Sequence, residues 1–184
     1  MSDDERHWLK INRAPVLTLW AAVVAERLGF ARDEALTLGR AVAGLNAYSK
    51  GRSLGLFEPS EKKKVKEKKR SLEEGSTVKI DLLHRAVPAI RRDGAIRALS
   101  KDKPISPDSV QRYLEKKFGD ALEDSREAMM QLAEAWRPPE IADRAYELYE
   151  DFRPDIPSGR KGWGAEGRLS LDRIRSLAAE AGGP

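Results

Sequence analysis

Residues 12–48 read NRAPVLTLWAAVVAERLGFARDEALTLGRAVAGLNAY, and this stretch decides the fold class. Val16, Leu19, Trp20, Val23, Val24, Arg27 and Leu28 follow an i, i+3, i+4 rhythm. Asn12 stands where a helix cap belongs, Pro15 suits a first turn, and Gly29 is a natural stop. The pattern predicts a helix over 12–30. Only Glu26 and Arg27 are charged between Pro15 and Phe30, so most faces of this helix are expected to be buried. A second helix is expected from Arg32 to Tyr48, with Asp33 and Glu34 facing its positive N-terminal dipole. Ala35, Gly39, Ala43 and Gly44 cost it helix propensity but leave a smooth strip for close approach of another helix.

The C-terminal third repeats the helical theme. Ser106-Pro107-Asp108 opens a helix that closes at Phe118-Gly119, and Asp120 to Trp136 forms another, ended by Pro138-Pro139. A third, over 139–152, carries Ile141, Ala145, Leu148, Tyr149 and Phe152 on one stripe. After a glycine-rich loop comes a short helix capped by Ser170, with Leu171, Ile174 and Leu177 inward. Between the two helical parts, Val78, Ile80 and Leu82 alternate with polar residues as in a half-buried strand. Asp93-Gly94, between AVPAIRR and AIRAL, is a two-residue hairpin signal. Pro88 argues that the first arm is an edge strand. A helix over 82–92 is the alternative, because Leu82, Leu83, Ala86, Val87 and Ile90 also fit a period of 3.6. The fold class is therefore mostly α, a helical domain with a small antiparallel β element in its middle.

At 184 residues the chain is the size of one domain. Its subdivisions read as an N-terminal helical hairpin (1–58), a basic segment (59–75), and a β-hairpin with C-terminal helices (76–184). The absence of Cys excludes disulfides, thiolate-bound zinc, iron–sulfur clusters and a thiol nucleophile. Two His, at 7 and 84, cannot build a multi-histidine metal cage. The start, MSDDERHW, is acidic and lacks the apolar core of a signal peptide. No apolar run approaches the ~20 residues that span a bilayer. The expectation is a cytoplasmic protein with no membrane association, no cofactor and no metal.

The net charge of +4 conceals an asymmetry. Residues 61–103 hold 14 basic and 7 acidic side chains, whereas residues 104–184 hold 12 basic and 16 acidic. The excess of cations belongs to the middle third, where it could attract a polyanion. Its densest part is EKKKVKEKKR (61–70), with Lys62, Lys63, Lys64, Lys66, Lys68, Lys69 and Arg70. Such a run neutralises phosphates and releases their counterions without reading base sequence. A solubilising wet face explains the same residues equally well. Ser60 to Glu74 carries only Val65 and Leu72 as apolar anchors, so it reads as a solvated helix or mobile segment. Residues 50–60, with Gly51, Gly55 and Pro59, read as a loop.

Residues 23–42 resemble the helix-turn-helix signature, with Val24 and Ala25 in a first helix, Leu28-Gly29 at the turn and Leu38 in the second. The resemblance implies a recognition helix whose Arg32 and Arg40 reach DNA. It departs from the pattern at Ala35, where a larger apolar residue is usual, and Asp33 and Glu34 would face phosphates. An αα-hairpin within the core accounts for the same twenty residues and is the stronger reading. In the loop FRPDIPSGRKGWGAEG (152–167), Arg160, Lys161 and Trp163 sit among four glycines and could meet a phosphate and a base. The plainer reading tucks Trp163 onto the helical core. Residues 95–119 look loosely like a winged-helix element, with Gln111, Arg112, Lys116 and Lys117 outward. A packing helix with Val110, Tyr113, Leu114 and Phe118 inward explains them better.

Catalysis finds little support. Asp81 could polarise His84 if the segment were helical, but no nucleophile motif accompanies them. Carboxylates Glu140, Asp143, Glu147, Glu150, Asp151 and Asp155 match no calcium-loop spacing. The expected function is that of a small bacterial-type nucleic-acid-associating protein, binding DNA through basic residues, without enzymatic activity. The alternative is a helical protein–protein interaction or oligomerisation module. A homo-oligomer is compatible with either.

Overall fold

In the computed structural model, residues 8–49, 75–155 and 166–181 are described. The first element is a short strand that the sequence did not signal, β1 (Trp8–Asn12), which runs directly into α1 (Arg13–Leu28). Every residue of α1 from Ala14 to Ala25 is buried, as the near absence of charge required. Asn12 occupies the N-cap position, but its side chain makes no capping hydrogen bond. The helix ends at Gly29, whose φ of 117° only glycine adopts readily, and whose N–H reaches the carbonyls of Ala25 and Glu26. The chain reverses and returns as α2 (Arg32–Ser49), packed on α1. Gly39 is the point of closest approach. A Cβ there would lie inside contact distance of the Thr18 carbonyl and 2.9 Å from Ala22 N. The αα-hairpin is therefore a pair of helices brought together by the small strip along α2.

The middle third is a four-stranded antiparallel meander in the order β2-β3-β4-β5. It comprises β2 (Thr77–Leu82), β3 (Arg85–Arg92), β4 (Ala95–Ser100) and β5 (Lys103–Pro104). Three two-residue turns connect these strands, at Leu83-His84, Asp93-Gly94 and Lys101-Asp102, each with both φ values positive. That is the hairpin geometry whose twist matches the strands it joins. Asp93-Gly94 was legible; the other two use residues that rarely mark such turns. The helical alternative for 82–92 is thereby set aside, because the reversal at Leu83-His84 and Pro88 both break it.

The expectation that β3 is an edge strand needs correcting. β3 pairs with β2 from Arg85 to Ile90 and with β4 from Ala89 to Arg92, so it lies between these two strands in the sheet. Pro88 is tolerated because pairing with β4 stops at Ala89↔Ala98, leaving Pro88 without a partner on that side. The outer edge of β4 is covered by α2. The Glu34 carboxylate accepts from the N–H of Ile96 (2.9 Å) and the Thr37 hydroxyl accepts from the N–H of Ala98 (3.0 Å). Glu34 also accepts from the N–H of Ala31 at 2.9 Å, closing the start of its own helix. Both side chains are buried, and together they satisfy strand donors that would otherwise invite another strand.

Of the remaining helices, the first three pack on α1 and the last packs on the second of them. They are α3 (Pro107–Phe118), α4 (Leu122–Glu134) after one 3-10 turn (Gly119–Ala121), α5 (Pro138–Phe152) and α6 (Leu171–Ala181). Ser106 caps α3 by accepting from Ser109 N, and Ser170 caps α6 by accepting from Arg173 N. Pro138 and Pro139 lie in the first turn of α5, where a missing N–H costs nothing; α4 has already ended at Glu134. The stripe Ile141, Ala145, Leu148, Tyr149 and Phe152 is the buried face of α5. Trp20 is wholly buried, donates its indole N–H to the Ala145 carbonyl (2.8 Å) and meets the edge of Phe152. Arg27 donates to the carbonyls of Ala133 and Trp136 at the end of α4, where a cation complements the helix dipole. Strand β6 (Glu166–Ser170) pairs with β1, so the N-terminal strand is held by the segment before α6. One apolar cluster runs from Ile11 to Leu177 through all these elements. Among the described residues, no helix is long and apolar enough to cross a membrane.

Candidate nucleic-acid interface

Strand register sorts the cations of the meander. Leu82, Ile80 and Val78 share one face with Arg85, Val87, Ala89, Arg91, Ile96 and Ala98, and this face turns to the core. The opposite face carries Lys79 and Arg92, both exposed, with Arg97, Thr77, Ile90 and the single strand carboxylate Asp81. Arg97 is held by Asp33 at the start of α2, N to O 2.9 Å. That pair is partly exposed and fixes orientation more than it adds stability. The described chain resumes at Gly75, whose N–H donates to the Arg91 carbonyl (2.8 Å), and Arg91 N–H returns a bond to Ser76. The sequence that follows the run 61–70 thus joins the fold at the corner formed by Arg91 and Arg92.

Not every cation of the middle third belongs to this surface. Arg85 is 1% exposed, donates to the His84 carbonyl and lies over the Tyr146 ring, 5.1 Å from its centroid. Burial pushes its guanidinium below the ordinary arginine value. Lys101 lies in the far turn and Lys103 follows it, both exposed. His84 sits in a turn rather than in a helix with Asp81, and its ring nitrogen lies 3.4 Å from Glu147 of α5 instead.

Arg32 and Arg40, the two cations expected on a recognition helix, are both exposed, Arg32 at the start of α2 and Arg40 over the Tyr113 ring, 4.5 Å from its centroid. Between and beyond them α2 is committed to the interior: Glu34 through Gly39 and Ala41 through Ala43 are buried. Lys62, Lys63, Lys64, Lys66, Lys68, Lys69, Arg70, Arg160, Lys161 and Trp163 lie outside the described residues, as do the loop 50–60 and the segment 60–74. On α3, Val110, Leu114 and Phe118 are buried while Arg112, Lys116 and Lys117 are exposed, which is the packing-helix arrangement. Among the described residues, no group of three or more His, Asp or Glu could hold a metal ion.

Lys79 and Arg92 are exposed strand cations that the sequence alone did not single out. Period-2 alternation marks them, but only once Leu83-His84 is known to be a turn and β3 a strand. No protein-family model, curated protein or solved structure matches the chain.

Proposed function

We propose that the protein associates with nucleic acid, DNA in the first place, through phosphate contacts that read no base sequence. One observation carries this: the face of the meander opposite the core presents the exposed cations Lys79 and Arg92, beside an Arg97 already paired with Asp33, in the sheet that follows the basic run 61–70. Cations on a broad surface attract the phosphate backbone and release its counterions. The burial of α2 argues against a helix read out in a groove, so sequence-neutral binding is the form this reading takes. A cytoplasmic location and the absence of a catalytic step go with it.

The test is anisotropy of a labelled duplex titrated with protein across a salt series. Affinity falls linearly on a log–log plot with a slope near −0.9 per neutralised phosphate. Replacing Lys62, Lys63, Lys64, Lys66, Lys68, Lys69 and Arg70 by Gln weakens binding to every duplex alike and flattens the slope. Lys79→Gln with Arg92→Gln flattens it further, by roughly one unit for each phosphate no longer neutralised. No retention of duplex at low salt overturns the reading and leaves the interaction module standing.

A further inference from the structure

A groove of about 560 Å³ lies between α2, α3 and the place where β4 leaves β3. It exists because of two backbone events. Pairing between β3 and β4 ends beside Pro88, while on its other edge β4 stays bonded to the returning chain, the Ala98 carbonyl accepting from the N–H of Ile105 (2.8 Å). The chain peels away there, and the space left is lined by Ala41, Leu45, Pro88, Leu99, Ile105 and Val110 as an apolar floor. Arg40 and Lys101 supply its charge, Ser100, Ser109 and Tyr113 its hydroxyls, and among the described residues none of its lining is acidic. Burial raises the Tyr113 phenol above its ordinary value even with Arg40 opposing, so it stays a neutral hydroxyl beside a stacked cation.

We propose that this groove binds a small amphipathic anion, its aromatic or aliphatic body on the apolar floor and its carboxylate, phosphate or sulfonate against Arg40 and Lys101. The volume falls within the roughly 300–1,000 Å³ of small-molecule sites, which pair an apolar lining with a few placed polar groups. A cation beside low-dielectric walls attracts an anion more strongly than the same cation on an open surface. This site adjoins the sheet face proposed for nucleic acid, because Pro88 in its wall is the register partner of Lys79, but Arg40 and Lys101 lie outside that face.

Gly44 supplies a clean way to block it. It lines the groove, and a Cβ built on it meets nothing within 4 Å, so a larger side chain enters the cavity without disturbing the packing of α2. The experiment uses the full chain and anilinonaphthalene sulfonate, an aromatic body with one anionic group, beside its sulfonate-free analogue phenylnaphthylamine. The sulfonate binds at one site per chain. Arg40→Gln and Lys101→Gln each weaken it about tenfold, as expected when one charged interaction is removed, and leave the neutral amine unchanged. Gly44→Leu abolishes binding of both probes while near-ultraviolet circular dichroism stays native. Dodecanoate and dodecyl phosphate compete with the sulfonate more strongly than dodecanol does; the ratio of the first two tells carboxylate from phosphate preference. Undiminished binding in a folded Gly44→Leu variant overturns the proposal. So does equal binding of neutral and anionic probes with no response to Arg40→Gln or Lys101→Gln, a comparison that stands even if Gly44→Leu does not fold.

Discussion

Two glycines in one helix should respond to the same substitution with opposite signs. Gly39 and Gly44 both lie inside α2, and alanine is favoured over glycine in a helix by about 1 kcal/mol. At Gly44 nothing opposes that gain, because the added methyl group meets open space. Gly44→Ala should therefore stabilise the protein by about 0.5–1 kcal/mol. At Gly39 the methyl group would press on the Thr18 carbonyl and on Ala22 N, 2.9 Å away. Those are backbone atoms of α1, a helix held on its other sides by α3, α4 and α5, so no side-chain rotation relieves the clash. Overpacking costs ~1–3 kcal/mol, and more where the backbone must move. Taking the upper end and subtracting the propensity gain, Gly39→Ala should destabilise by about 2 kcal/mol. The two variants then differ by roughly 3 kcal/mol, or about 1.5 M in urea midpoint at a slope near 2 kcal/mol/M. Equilibrium urea unfolding followed by Trp fluorescence measures it, with the slopes unchanged. A Gly39→Ala variant as stable as the wild type would refute the close packing of α1 on α2.

Glu34→Ala removes the acceptor for the Ile96 and Ala31 N–H groups, and Ile96 is 1% exposed. Urea unfolding should show a loss of about 2–4 kcal/mol, and a loss under about 0.5 kcal/mol would mean that water replaces the carboxylate on the β4 edge. Burial raises the Tyr149 phenol well above the ordinary tyrosine value, so the folded state holds that proton more tightly than the unfolded chain. Stability is therefore unaffected by this group below about pH 10 and falls as pH rises beyond it. Tyr149→Phe should flatten that alkaline decline in a series of thermal melts, and an unchanged decline would assign it to other groups.

The helices were legible because burial imposes its period on the residues. The stripe of α5, the two serine caps, the glycine stop after α1 and the uncharged body of α1 are all local consequences of a 3.6-residue repeat. The β elements were legible only where a turn used the residues that its backbone prefers, as at Asp93-Gly94. Leu83 adopts a φ of 50° although it is bulky and 1% exposed. Its burial, rather than its local preference, holds that turn. β1 and β6 escaped notice because each is five residues long and finds its partner more than 150 residues away. Of the candidate site, the charge excess of the middle third could be counted from the sequence. The face that each cation occupies could not, because a turn of two residues decides the register of every side chain after it.

By itself, the sequence determined the helical class, the burial of α1, the small strip on α2, and the lack of cysteine chemistry. These follow from composition and short-range periodicity, which are properties of neighbouring residues. Tertiary structure alone decided that β3 lies inside its sheet, that Glu34 and Thr37 seal the β4 edge, and that Arg85 is buried while Lys79 and Arg92 are exposed. It also opened the groove beside Pro88. Each of these depends on contacts between residues distant in the chain, where a hydrogen bond or a close packing can form only after the intervening elements have been placed.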